Sequence, residues 1–298
     1  TAFKKTFSNI SGSIGISAEP SEKVTLKANI ARGFRAPTLA ELGSNGAHEG
    51  TNRYEYGEQS LKSETSLQFD AGIDLNYEHF SLGISAFYNR MNRFIFYRKL
   101  QSVLGGDSLV NVDGEDLQTF QFNQHDATLA GVEASLDIHP HPLDWLHFEN
   151  TFSWVRGRFD NAIDGSEALP LIPAARLVSE LKADFRKAGH HFSNLYFKLE
   201  ADQTFAQNNP FTGFDTETRT DGYLLLNAGL GADILNKAKK IVCSVHLGVT
   251  NITDKAWQNH LSRLKYTAEN LVTGRTGVFN TGRNFSIKLN IPFGFKLN

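Results

Sequence analysis

Four side chains able to hold a metal ion, Glu41, His48, Glu49 and Glu55, fall between Arg32 and Glu64. Gly43, Gly46, Gly50 and Gly57 are interspersed with them and let the backbone approach a ligand closely. Zinc takes imidazole nitrogen and carboxylate oxygen, four donors in a tetrahedron, so His48 is the leading donor and Glu49 its neighbour. Adjacent residues of an extended chain point to opposite sides. Glu41 or Glu55, or residues outside this chain, would therefore complete a site begun by His48. The same stretch offers a second chemistry, because Arg35, Arg53, Tyr54 and Tyr56 lie in it as candidate substrate-binding groups. Guanidinium groups grip anionic oxygens two at a time. Arg32 and Arg283 belong to the same rival class, whose ligand would be an anionic siderophore or haem propionates.

His260, in the run NHLSRLKY, is a further metal candidate, with a structural part in strand pairing as its plainer reading. His125 sits in a strand before its alternation becomes clear. His139 and His141 share one face of an extended segment, but Pro140 and Pro142 place them in a short turn, and the His190-His191 pair lies in another. A turn role is the plainer reading for both pairs.

The elements that must position these groups are strands. Before the Arg32–Glu64 stretch, Val24, Leu26, Ala28 and Ile30 alternate with Thr25, Lys27 and Asn29; after it, Leu67, Phe69, Ala71, Ile73 and Leu75 alternate with Gln68, Asp70, Gly72 and Asp74. Period-two alternation of this length predicts half-apolar strands carrying one large polar loop. The pattern repeats to the end of the chain, where Phe285, Ile287, Leu289, Ile291 and Phe293 alternate with Asn284, Ser286, Lys288 and Asn290. About eleven strands result, the first from roughly Phe7 to Ala18. Their connections alternate between short turns near residues 20, 78, 141, 188 and 237 and long loops near 50, 108, 165, 214 and 266. Lys99 to Gln118 and Gly157 to Pro173 are expected to be two of those loops.

Short turns at one end and long loops at the other are the habit of outer-membrane barrels, whose lipid-embedded backbone must be paired in a closed sheet. The fold class expected is all-β, an antiparallel transmembrane β-barrel. Mean hydropathy is −0.32, which does not separate such a barrel from a soluble protein, since lipid-facing and lumen-facing residues alternate. Asp70, Asp74, Glu133, Asp137, Glu149, Glu200 and Asp202 should face the lumen, where hydration and contact with a plug are their plain roles. Bacterial single-chain barrels have an even number of strands. Eleven is half of the 22-stranded, plugged class, so further strands are expected to precede Thr1.

Composition narrows the remaining classes. The 298 residues carry a formal net charge of −2, and no basic cluster is interleaved with stacking aromatics, which argues against nucleic acid. One cysteine, Cys243, leaves no internal disulfide and no cysteine-based zinc cluster. There is no Gly-x-Ser-x-Gly elbow, P-loop or His-Glu-x-x-His run, so no enzyme is expected. Residues Thr1 to Lys5 lack the apolar core of a signal peptide.

ARGFRAPTLAEL, NGAHEGTNRYEYG, LKSETS, DGYLLLNAGLGADI, LGVTNITDKAWQNHLSRLKY and TGRNFSIKLNIPF together resemble the barrel of TonB-dependent outer-membrane receptors of Gram-negative cells. Within that superfamily HEGTNRYEYG, LPLIPAAR, FAQNNPFTGFDTETRTDGY and NHLSRLKY look most like zinc-uptake receptors. The resemblance implies a transporter importing a scarce nutrient, zinc first and otherwise haem, a siderophore or another metal. It implies no intrinsic cofactor. Its partners would be the TonB complex acting through an N-terminal plug, outer-membrane lipid and lipopolysaccharide, and the remaining N-terminal part of the same receptor. Plug, TonB box and first barrel strands are expected to lie outside residues 1–298. The competing readings are a passive outer-membrane channel and a soluble lectin-like sandwich.

Overall fold

A computed structural model describes residues 4–48, 50 and 52–293. Eleven long strands form an antiparallel meander in which each pairs with the next in chain order. They are β1 Gly12–Ser21, β2 Val24–Arg35, β3 Glu64–Asn76, β4 Phe80–Lys99, β5 Glu115–Ile138, β6 Leu146–Ile163, β7 Arg176–Ala188, β8 Phe192–Thr204, β9 Tyr223–Leu235, β10 Ile241–Thr250 and β11 Asn284–Asn290. Every chain-consecutive pair reverses direction, as the alternation of short and long connections requires.

The registers carry the period-two pattern across the sheet. Ile30 stands opposite Phe69, Phe69 opposite Tyr88, and Leu230 opposite Leu247, so the apolar residues form rows on one face. That face is bare: Ile14 is 74% exposed, Leu199 60% and Ile287 79%. Large apolar side chains left open in rows across eleven strands belong against lipid rather than water. The other face is polar and internally paired. Lys27 Nζ meets Asp74 at 2.7 Å, Asn29 donates to Asp70 at 3.0 Å, Lys198 Nζ meets Glu180 at 2.7 Å, and Asn227 donates to Glu200 at 2.6 Å. Asp70, Asp74 and Glu200, three of the carboxylates expected on the lumen side, are thus held by cross-strand partners.

Strand length shows where the wall leaves the membrane. A transmembrane strand needs about 9–11 residues. β4, β5 and β6 have 20, 24 and 18. β4 and β5 outrun β3 at the long-loop end, and the change is marked by a bulge between Met91 and Phe94, where Arg93 has φ 58° and its N–H is taken by the Asp126 carboxylate at 2.8 Å. The buried core forms beyond this point, because here side chains have protein on both sides. Met91, Phe96, Ala127, Phe159, Ile163, Leu169 and Phe211 pack together, with Phe159 and Phe211 each 1% exposed.

Several expectations need correction. The first strand begins at Gly12 rather than near Phe7 and runs on to Ser21. Lys99 to Gln118 is not one open loop, since β5 starts at Glu115 and residues Leu109–Val112 pair back onto it. Gly157 to Pro173 is strand as far as Ile163, followed by the short strand Ser166–Ala168 on the same partner. In the last two cases polar sequence suggests a loop, whereas strand pairing outside the membrane needs no apolar row.

Candidate functional site

The stretch between β2 and β3 is built, not slack. Thr38 caps a five-residue helix, Leu39–Gly43; its hydroxyl accepts the Glu41 N–H at 3.2 Å and the Glu41 carboxylate accepts the Thr38 N–H at 2.7 Å. This reciprocal box is what the Thr-Leu-Ala-Glu spacing encodes. Asn45–His48 and Arg53–Tyr56 then pair as a hairpin, and Arg53–Tyr56 lies parallel to residues 118–121 of β5. The loop is thereby sewn to the extended part of the wall.

That pairing decides where the candidate side chains go. Arg53 and Glu55 share one face and are buried at 8% and 6% exposure, with Arg53 Nε 2.6 Å from Glu55 Oε1. The Arg53 guanidinium lies 3.7 Å from the Tyr97 ring centre and 5.0 Å from that of Phe120. Tyr54 and Tyr56 lie on the opposite face with ring centres 5.0 Å apart, and the Tyr54 hydroxyl donates to Asn45 Oδ1 at 3.0 Å. Arg35 donates to both Glu41 oxygens, at 2.8 and 2.9 Å, and reaches Glu64 at 3.2 Å. His48 is exposed at the hairpin end opposite Arg53. Glu49 lies outside the described residues.

Among the described residues, two of the acids expected to complete a site at His48 are drawn to arginines instead. Glu41 is engaged by Arg35 and the helix cap, and Glu55 by Arg53. Sequence spacing placed these acids near the histidine; it did not say that arginines two and six residues away would claim them.

His260 is brought to the same region by the segment between β10 and β11. It is 6% exposed. Its Nδ1 lies 2.8 Å from the Thr220 hydroxyl and 3.2 Å from the Lys265 ammonium, while Nε2 lies 3.6 Å from Glu217. Glu217 also accepts the N–H groups of Leu171 at 2.6 Å and Phe211 at 3.1 Å. Three loops are tied through this buried network. His125 instead packs against the rings of Phe96 and Phe159, each 6.2 Å away.

Between His260 and Arg53 lies a cavity of about 220 Å³, lined in part by Arg53, Tyr97, Phe120, Glu217, His260 and Arg263. Tyr97 is contacted by two guanidiniums, since Arg263 stands 5.6 Å from its ring centre and donates to its hydroxyl at 2.5 Å. No ion pair to Arg263 occurs among the described residues. Tyr97 and Arg263 carried no sequence signal, because one lies near the end of β4 and the other in the segment between β10 and β11, 166 residues apart and joined only by the fold. A larger groove of about 530 Å³, lined by Leu181, Phe197, Leu199, Leu230 and Phe285, lies on the bare apolar face and suits acyl chains rather than cargo.

Known structures similar to this fold are numerous. The chain is 22% identical, over 98% of its length, to "Probable hemoglobin and hemoglobin-haptoglobin-binding protein 4" of Haemophilus influenzae, and spans 30% of that protein. It is 34% identical over 165 residues to the ferric enterobactin receptor of Pseudomonas aeruginosa, covering 49% of this chain and 20% of that one. Among solved structures, the copper transporter OprC superposes with a TM-score of 0.72 at 18% identity, covering 95% of this chain and 39% of that one. The FrpB iron transporter of Neisseria meningitidis gives 0.61 at 15% identity with the same coverage. The chain thus spans less than half the length of each of these proteins. Residues 1–252 match the family described as TonB dependent receptor-like, beta-barrel. With that match, an eleven-strand meander bearing a bare apolar face and extended strands at one end is the wall of an outer-membrane barrel, and the chain belongs to the TonB-dependent receptor β-barrel family.

Proposed function

We propose that this chain forms part of an outer-membrane importer of an anionic, aromatic metal chelate, a ferric siderophore or haem, rather than of free zinc. The observation that carries this reading is Tyr97 between Arg53 and Arg263 at the rim of a loop cavity. A guanidinium over an aromatic ring is stabilised by about 0.5–2 kcal/mol; Arg53 is already held by Glu55, which leaves Arg263 as the guanidinium open to an oxygen anion. The cavity of about 220 Å³ falls below the roughly 300–1,000 Å³ of pockets that enclose a whole drug-sized ligand. It suits one ring or acidic arm of a larger cargo. Two relatives bear the names of haemoglobin and ferric enterobactin, which supports the same class. The zinc reading lacks such support, because Glu41 and Glu55 are paired with arginines. Import would be driven by the TonB complex through a plug in the remaining part of the receptor, with the barrel seated in outer-membrane lipid and lipopolysaccharide.

The test is binding to the full-length receptor purified in detergent, with a ferric catecholate, haemin and Zn²⁺ measured side by side. An anionic chelate should bind, and Arg263→Ala should weaken it at least tenfold. Binding of Zn²⁺ alone, with neither chelate retained, would restore the zinc reading.

A further inference from the structure

We propose that the short-turn end of the wall carries a binding site for a borderline divalent transition metal, built by Asp137, His139 and His147. It lies at the opposite end of the strands from the Tyr97 cavity and does not depend on which cargo that cavity takes.

The hairpin between β5 and β6 sets the three side chains together. Ile138 pairs with Phe148 and Asp137 with Glu149, so the next position in this register places His139 across from His147. Alternation puts all three on the polar face, the one a membrane barrel turns to its lumen. The imidazole centres of His139 and His147 are 5.6 Å apart. His139 Nδ1 lies 3.5 Å from one Asp137 oxygen, and His147 Nδ1 lies 3.5 Å from the other. One ligand atom from each residue lies within 4.8 Å of the other two, and among the described residues this is the one such trio of possible metal ligands. Donors around a tetrahedral Zn²⁺, with bonds of about 2.0–2.2 Å, stand roughly 3.3–3.5 Å from each other. The observed separations are therefore those of a site that would close around an ion with small rotamer adjustments.

The state of the nitrogen atoms points the same way. His139 Nε2 lies 2.7 Å from the Glu78 carbonyl oxygen, which accepts a hydrogen bond and so requires the proton on Nε2. In neutral imidazole this leaves a lone pair on Nδ1, aimed at a carboxylate. Fixing a histidine's tautomer through a backbone carbonyl on its far nitrogen is how metal-binding histidines are commonly oriented. His139 Nδ1 and Asp137 Oδ1 are both buried atoms without a hydrogen-bond partner. A lone pair facing a carboxylate repels it unless something positive lies between. His79 stands beside the trio, its ring centre 6.4 Å from that of His139 and its Nδ1 likewise buried and unpartnered.

The neighbouring charges leave room for a cation. Lys182 is registered opposite His147, but its ammonium is held by Asp184 at 2.8 Å, and Glu149 beside Asp137 adds negative charge. Two imidazoles and one carboxylate suit Zn²⁺, Cu²⁺ or Ni²⁺ rather than Ca²⁺ or Mg²⁺, which prefer all-oxygen shells. Three protein donors also leave a coordination position open, the mark of sites that exchange a ligand rather than of closed structural ones.

The full-length receptor, stripped with chelator and held in detergent, should bind about one Co²⁺ or Zn²⁺ at this site, with Co²⁺ giving visible ligand-field absorption. The double variant His139→Ala/His147→Ala, and separately Asp137→Asn, should lower that affinity at least tenfold, whereas His48→Ala, Arg263→Ala and the exposed neighbour His141→Ala should leave it unchanged. Heat-modifiable migration on gels reports whether each variant has assembled its barrel. One measurement needs no variant: metal should protect His139 and His147 of the unmodified receptor from diethyl pyrocarbonate, read by peptide mass. Equal modification with and without metal, or undiminished binding in an assembled double variant, would overturn the proposal.

Discussion

Arg53 and Glu55 illustrate how burial changes the worth of a charge. Both are nearly closed to solvent, so removing one partner strands the other, a loss of about 3–5 kcal/mol, where an exposed pair contributes under about 1 kcal/mol. Glu55→Ala should therefore loosen the hairpin it sits in, seen as faster amide exchange over Arg53–Tyr56, while the exposed pair Arg158–Glu167 should tolerate Glu167→Ala with little change. Glu58 adds a pH dependence of local kind. Hydrogen bonds from the Ser60 side chain and backbone, against a smaller burial effect, hold its carboxyl below the usual carboxylate range. A folded value lowered in this way contributes stability above the unfolded pKa and loses it as pH falls through the folded one. Exchange of the Ser60 amide should accelerate on acidification across that interval and stay flat at neutral pH.

Short elements outside the membrane depend on details that the long strands do not need. The helix Leu39–Gly43 is too short to stand on propensity, and its Thr38 cap is worth about 1 kcal/mol. Thr38→Ala should release Arg35 from Glu41 and raise proteolysis of the β2–β3 segment without altering barrel assembly. Gly57 follows the hairpin where the chain passes the end of that helix. A Cβ there would sit 2.5 Å from the Gly43 nitrogen and 2.6 Å from that of Ser44, both backbone atoms. Gly57→Ala should displace the hairpin from β5 and weaken chelate binding, with Thr38→Ala the milder of the two in the same assay.

The wall as a whole obeys a different rule, set by its two surroundings. A charge on the lipid face costs about 2–4 kcal/mol at the bilayer midplane, whereas the lumen face is already polar. Leu199, exposed on the outer face, should be intolerant of arginine: Leu199→Arg is expected to lower the denaturant midpoint of the reconstituted receptor, and Ser85→Arg, across from Glu133 on the polar face, to lower it less. Stability in this region comes from the backbone ladder and lipid rather than from a core, which is why the residues 1% exposed or less are confined to the loop end.

Alternation of side chains and of turn lengths was enough to read the strands, their antiparallel order, the apolar and polar faces and the membrane setting, because each of these is local and repeats with period two. The lumen assignment of Asp70, Asp74 and Glu200 followed from the same count. What tertiary structure alone decided was the company each side chain keeps. Glu41 and Glu55 have the spacing of metal ligands, but Arg35 and Arg53 hold them, and His139, a turn residue by its neighbouring prolines, is set by the hairpin opposite His147 beside Asp137. Tyr97 on β4 and Arg263 in the β10–β11 segment meet only through the fold. Spacing along a chain constrains neighbours within a strand or turn, whereas a site drawn from several loops is set by strand register and loop packing, and neither is written in any one stretch of sequence.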